Sequence, residues 1–146
     1  MRKLFIAAFM FVSSFGSNVM ADGHSIKMGI ILGFTGPIES LTPAMAASAE
    51  LAFKEASDSG SLLGGKKIEA MRADSTCVDS AAATAAAEGL ISGGVAAIMG
   101  ADCSGVTGAI ATNVDVPNGV VMISPSATSP GSVSYTHLTL PTTLTV

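Results

Sequence analysis

Short apolar runs alternate with small-residue helical stretches along this chain, and the alternation constrains the fold more than any other feature. SIKMGIILGF (25–34) is almost continuously apolar and bounded by turn residues, the pattern of a strand buried on both faces. After the loop GPIESLTP, Thr42-Pro43 offers an N-cap with proline at the first helical position, and AMAASAELAFKEAS reads as helix until Gly60. The turn SGSLLGGKK leads to a second strand over 68–72. Asp79 caps a second helix, SAAATAAAEGLIS, which stops at Gly93-Gly94. VAAIMG is a third strand, SGVTGAIATNV a short third helix with two internal glycines, and GVVMISP (119–125) a fourth strand. A β-α-β-α-β-α-β order with short links predicts a doubly wound α/β fold: a parallel sheet with right-handed crossovers and helices on both faces.

The N-terminus reads as an export signal. Arg2 and Lys3 precede a short apolar run, 4–12, and Val19-Met20-Ala21 supplies a loose small-x-small cleavage pattern. Cleavage is expected after Ala21, leaving a mature, periplasmic chain without a cysteine at its start, so no lipid anchor is expected. The apolar run is short for a membrane span; a retained anchor is the alternative. Export favours pairing of Cys77 and Cys103, the chain's two cysteines, although two unpaired buried thiols would leave the same sequence.

Charge and motif content exclude several functions. The net charge is −4, and no cluster of Lys or Arg follows residue 3, so nucleic acid and anionic membrane surfaces are poor partners. No C-x-x-C motif is present, and two histidines with two cysteines do not make a metal site, so no metal and no cofactor is expected. GSLLGGKK imitates a phosphate loop, but Lys67 stands where Ser or Thr is needed, and the segment follows a helix and precedes a strand. Ser104 lacks the G-x-S-x-G elbow, and no plausible histidine base accompanies it. No enzyme is expected.

Ligands of such sheets bind at the carboxyl ends of the strands. Two of those ends are rich in hydroxyls: GADCSG after the third strand, and SPSATSP after the fourth, with Ser124, Ser126, Thr128 and Ser129. A helix N-terminus with hydroxyls beside it can hold a carboxylate without Arg or Lys. The same residues also serve merely as caps and turn formers in many loops. Leu41 and Phe34 either border a pocket or pack locally.

LGFTGPIESLTP, DSTCVDS, GADCSGVTG and VMISPSATSP together resemble the periplasmic substrate-binding proteins of branched-chain amino-acid (leucine/isoleucine/valine) ABC transporters, type I, over 26–130. The resemblance implies a disulfide between Cys77 and Cys103. It implies that Ser104 meets a ligand carboxylate, that backbone groups near Ser126 and Ala127 contact the ligand's backbone, and that the Thr128 hydroxyl does so too. The family often has alanine where Ser126 stands, so its side chain is not carried over as a ligand. Implied partners are an amino acid or related solute and the transporter's membrane permease, with a monomer expected when the protein is complete. Amide- and urea-binding relatives share much of the pattern, and a sensor lobe would look the same.

The ending VSYTHLTLPTT (133–143) does not fit this family pattern. It resembles the frame translation of a transposon-type sequencing adapter, GTC-TCT-TAT-ACA-CAT-CTG-ACG-CTG-CCG-ACG. The expected organisation is therefore a signal peptide over 1–21, a partial N-terminal lobe over 22–131, and an adapter-derived stretch over 132–146. Tyr135 and His137 then carry no function, and the acid for a ligand ammonium would lie in a second lobe.

Overall fold

The computed structural model describes residues 25–133, so the export signal and most of the unusual ending lie outside the described residues. Four parallel strands, β1 (Ser25–Leu32), β2 (Lys67–Asp74), β3 (Ala97–Gly100) and β4 (Val121–Ile123), lie in the order β2-β1-β3-β4. The register pairs Met28 with both Ala70 and Ala97, and Ile98 with Met122. The doubly wound α/β expectation is met, with β1 and β3 flanking the point where the strand order reverses.

Each face has its own core. Along β1 the side chains alternate: Ile30 and Leu32 join Ala46 of α1 (Thr42–Asp58), with Met45, Ala49, Phe53 and Met99 packed around them. Ile31 points the other way, to Ala83, Ala87 and Leu90 of α2 (Ser80–Ser92) and to Val106 and Ile110 of α3 (Ser104–Ile110). The spacing of Ala83, Ala87 and Leu90 gives α2 a narrow buried stripe, and alanine lets that helix lie close to the sheet. Met122 of β4 faces this second core, while Val121 and Ile123 face the opposite side and are 56% and 44% exposed. Helices cover both faces, but α1 does not reach β4.

Local differences from the sequence reading have physical causes. Asp79 does cap α2, its Oδ1 accepting the N–H groups of Ala81 and Ala82 at 2.9 and 3.0 Å. Thr42 does not cap α1. Its buried hydroxyl donates to the carbonyl of Gly33 at 3.1 Å, which ties the helix start to the end of β1, and Leu41 takes the cap position without a side-chain bond. The third helix runs further than expected: α3 passes into a π-helical turn, Ala111–Asp115, and then α4 (Val116–Asn118), ending at Gly119 with φ 65°. Pro117 lies just past the π-helical turn, near the end of this continuous helix. A further short helix, α5 (Pro130–Val133), begins where a loop is expected.

Among the described residues no helix is long and apolar enough to cross a membrane, and no group of three metal-ligating side chains occurs.

Candidate functional site at the carboxyl edge of the sheet

Four loops meet beyond the strand ends. At their centre is Asp102, buried across the gap between β1 and β3. Its Oδ2 accepts the N–H of Gly33 at 3.0 Å, and its Oδ1 accepts the N–H of Cys103 at 3.0 Å and the hydroxyl of Ser75 at 3.3 Å. Three donors from the ends of β1, β2 and β3 therefore converge on one carboxylate, which is how a buried acid is accommodated without a cation.

The loops after β1 and β2 are joined in a second place. Asp74 accepts the hydroxyl of Thr35 at 2.6 Å and the N–H of Thr76 at 2.8 Å. The Thr35 and Thr76 bonds hold the Asp74 carboxyl below the usual carboxylate range, although its partial burial, the largest single influence on it, pushes the other way. Gly36 has φ 99°, and a Cβ there would lie 2.4 Å from the Thr76 carbonyl oxygen, so only glycine permits the approach. Gly100, at the end of β3, is fixed in the same way: φ is 132°, and a Cβ would lie 1.9 Å from the Ile31 carbonyl oxygen. Cys77 and Cys103 are joined by a disulfide, which clips the loop after β2 to the start of α3. Thr76 and Cys77 both have positive φ, 56° and 70°, so the clip holds two non-glycine residues in a conformation they rarely adopt.

The loops after β3 and β4 interlock through serines. Ser124 Oγ donates to the Ala101 carbonyl and accepts the N–H of Ala127 at 2.8 Å. Ser126 Oγ donates to the Asp102 carbonyl at 2.8 Å, so its side chain is occupied in holding the loop. Ser104 Oγ accepts two backbone N–H groups, from Thr128 at 3.1 Å and from Ser129 at 3.2 Å. A hydroxyl has two acceptor positions and one donor. With both acceptor positions of Ser104 filled, its O–H donor is the function left unspent among the described residues. The Thr128 side chain is exposed, and its hydroxyl has no partner among the described residues; the same holds for the carbonyls of Ser126 and Ala127. None of the loops carries Lys or Arg.

Ser104, Ser126, Ala127 and Thr128 are thus brought together at one edge, with the half-buried Ser104 at the head of α3 and the other three on the facing loop. Leu41 lies exposed in the loop before α1, whereas Phe34 packs on the α1 core and stacks under the Arg72 guanidinium, 5.6 Å from its ring centre. Asp102 was not anticipated as part of this edge; an acid between a strand and a helix start gives no local sign that three distant donors meet it.

A family model described as periplasmic binding protein matches residues 25–143. The chain is 32% identical over 130 residues to the leucine-, isoleucine-, valine-, threonine- and alanine-binding protein of Pseudomonas aeruginosa, covering 89% of this chain and 33% of that protein. A branched-chain amino acid transporter substrate-binding protein of Streptococcus pneumoniae, solved with isoleucine, is similar with a TM-score of 0.66 and 32% identity, over 73% of this chain and 30% of that one. A transporter substrate-binding protein of Desulfitobacterium hafniense, solved with leucine, gives a TM-score of 0.65 and 26% identity, over 77% of this chain and 32% of the other. The chain therefore spans about a third of the length of the relatives it matches.

Proposed function

The chain belongs to the periplasmic binding protein family, and from that premise we propose that it is the N-terminal part of a solute-binding protein that delivers an amino acid, most simply a branched-chain one, to an ABC importer in the periplasm. The observation that carries the reading is the state of Ser104. Its hydroxyl sits at the start of a helix, keeps only its donor free, and lies where no Lys or Arg competes. That is the requirement for receiving a carboxylate through neutral donors.

In this reading the ligand carboxylate takes the Ser104 O–H, and the Thr128 hydroxyl provides a second donor. The carbonyls of Ser126 and Ala127 accept from the ligand ammonium. Ser124, Ser126 and Asp102 hold these groups at fixed separations, so little ordering is left to be done on binding. The acid that neutralises the ammonium and most of the side-chain pocket belong to a second lobe, which closes on the first by hinge motion. The export signal over 1–21, with cleavage after Ala21, serves the same role in this reading, and the stretch from Ser132 onward is adapter-derived.

Two experiments test this. Sequencing the source DNA across codon 132 shows whether the frame continues into a hinge and second lobe. Calorimetric titration of the resulting complete protein with leucine, isoleucine and valine should then give tight, saturable binding. A stop immediately after codon 146, or no binding of any amino acid by the complete protein, would sink the proposal.

A further inference from the structure

The charges of the described residues divide between the two ends of the sheet. Lys27, near the start of β1, donates to the Gly93 carbonyl at 3.1 Å, Lys66 and Lys67 stand at the start of β2, and Lys54 pairs with Asp58 at the end of α1. Arg72, further along β2, is held by both oxygens of Glu50 at 2.6 and 2.8 Å. At the carboxyl edge, Glu39, Asp74, Asp79 and Asp102 stand with no Lys or Arg in the loops around them. Glu39 is exposed to water, and Asp79 is occupied in capping α2. Asp102 differs from both. It is 4% exposed, and its oxygens are fixed by Gly33, Cys103 and Ser75. Its own carbonyl accepts the Ser126 hydroxyl at 2.8 Å, which joins it to the loop that carries Ala127 and Thr128. A buried charge held in this way cannot turn aside from the neighbouring Ser104, and water and salt screen it poorly.

We propose that Asp102 determines which carboxylates the site accepts: those balanced by a positive charge on the same molecule, and not net-anionic carboxylates of the same shape. The inference rests on the reading above, that Ser104 and Thr128 receive a carboxylate. Hydroxyl donors alone favour an anion over its uncharged amide, because a hydrogen bond to a charged acceptor is the stronger. They do not distinguish an amino acid from the same acid without its amino group. Asp102 supplies that distinction. Its field opposes negative charge at Ser104, and no cation in the four loops offsets it. An ammonium at the Ser126 and Ala127 carbonyls sits on the loop bonded to Asp102, and its attraction to that charge offsets the repulsion. Asp102 therefore selects through space, without touching the solute.

The test uses the complete protein, read from the gene through codon 132. Leucine binding is measured by calorimetry, and isocaproate, which is leucine without its amino group, is measured by displacement of leucine. Asp102→Asn removes the charge and keeps the size, so the affinity for isocaproate relative to leucine should rise roughly tenfold. A merely structural role for Asp102 would weaken both solutes in proportion. Isocaproate that displaces leucine no better from the variant than from the parent therefore overturns the proposal. If the variant does not fold, isocaproate and its uncharged amide are compared on the parent: the anion should bind no better than the amide, and a preference for the anion overturns the proposal. A parent that binds no leucine sinks the functional reading and this inference with it, whereas leucine binding with an unmoved ratio sinks this inference alone.

Discussion

Ser104 and Thr128 are 24 residues apart in sequence, yet the hydroxyl oxygen of the first accepts the backbone N–H of the second at 3.1 Å. This bond joins the start of α3 to the loop after β4, and it determines which functions of each residue remain free. Ser104 keeps its O–H, and Thr128 keeps its side chain.

The two side chains should therefore respond differently to substitution. In the complete protein, Thr128→Val removes one hydroxyl and no loop contact, and binding should weaken several-fold with the melting temperature unchanged. Ser104→Ala removes the proposed carboxylate donor and also leaves the Thr128 and Ser129 N–H groups without their acceptor. A lost hydrogen bond to a charged group costs about 1.5–3 kcal/mol, so affinity should fall roughly tenfold to a hundredfold. Calorimetry on both variants checks the order; equal effects would mean that the Ser104 hydroxyl and its loop bonds contribute no more to binding than the Thr128 hydroxyl.

The disulfide gives a second prediction. Cys77 and Cys103 close a loop with a sequence separation of 26, for which chain entropy alone predicts about 3.5 kcal/mol of stabilisation. Replacing both cysteines by serine should lower the denaturant midpoint accordingly. It should also weaken ligand binding, since the bridge holds Thr76 and Cys77 at positive φ beside the site. A midpoint unchanged by the double substitution would show that the hydrogen bonds of Asp74 and Asp102 hold the loop by themselves.

Asp102 should be the most sensitive polar residue of the edge. Asp102→Ala strands the N–H groups of Gly33 and Cys103 and the Ser75 hydroxyl in a buried place, at about 1–3 kcal/mol for each donor left without water. Asp102→Asn keeps one acceptor oxygen but turns an amide donor toward a donor, so it should be destabilised by less, though clearly. Thermal melts of the two variants check the ranking.

Much of the fold could be read from the sequence because its signals are local. The apolar runs that became β1 and β3, the Asp79 cap and the stop at Gly93-Gly94 all depend on neighbours within a few positions. What was missed depends on distance. Thr42 has the look of a cap, but its hydroxyl is captured by Gly33 of another element. The helix after Ser104 was expected to end near Val114, yet packing of Val114 and Asp115 against the sheet carries it on through a π turn. The hydroxyl-rich loops stand out in composition as a candidate site edge. The division of labour within them was not, because Ser124 and Ser126 support the loop while Ser104 and Thr128 stay available, and only the tertiary contacts separate the two roles.

The last prediction concerns pH and Asp115, whose carboxylate has no hydrogen-bond partner among the described residues. Its carboxyl is raised from 3.8 to about 6 by burial. Below the lower value both the folded and the unfolded chain hold the proton, and the acid costs nothing. Between the two values the folded chain retains a proton that the unfolded chain has released, so stability falls as pH rises through this window. Above about 6 the penalty is constant, on the order of 3 kcal/mol. Other carboxylates have the opposite slope: Asp74 and Glu50 are lowered, Asp74 by its hydrogen bonds with Thr35 and Thr76 and Glu50 by its bond with Arg72, and their contribution is lost as pH falls. The comparison must therefore be made against Asp115→Asn rather than against the parent at another pH. Urea melts of the pair should show the asparagine variant more stable above pH 6 and the difference closing toward pH 4. If the two curves run parallel across that range, Asp115 is not an unpaired buried acid in this chain.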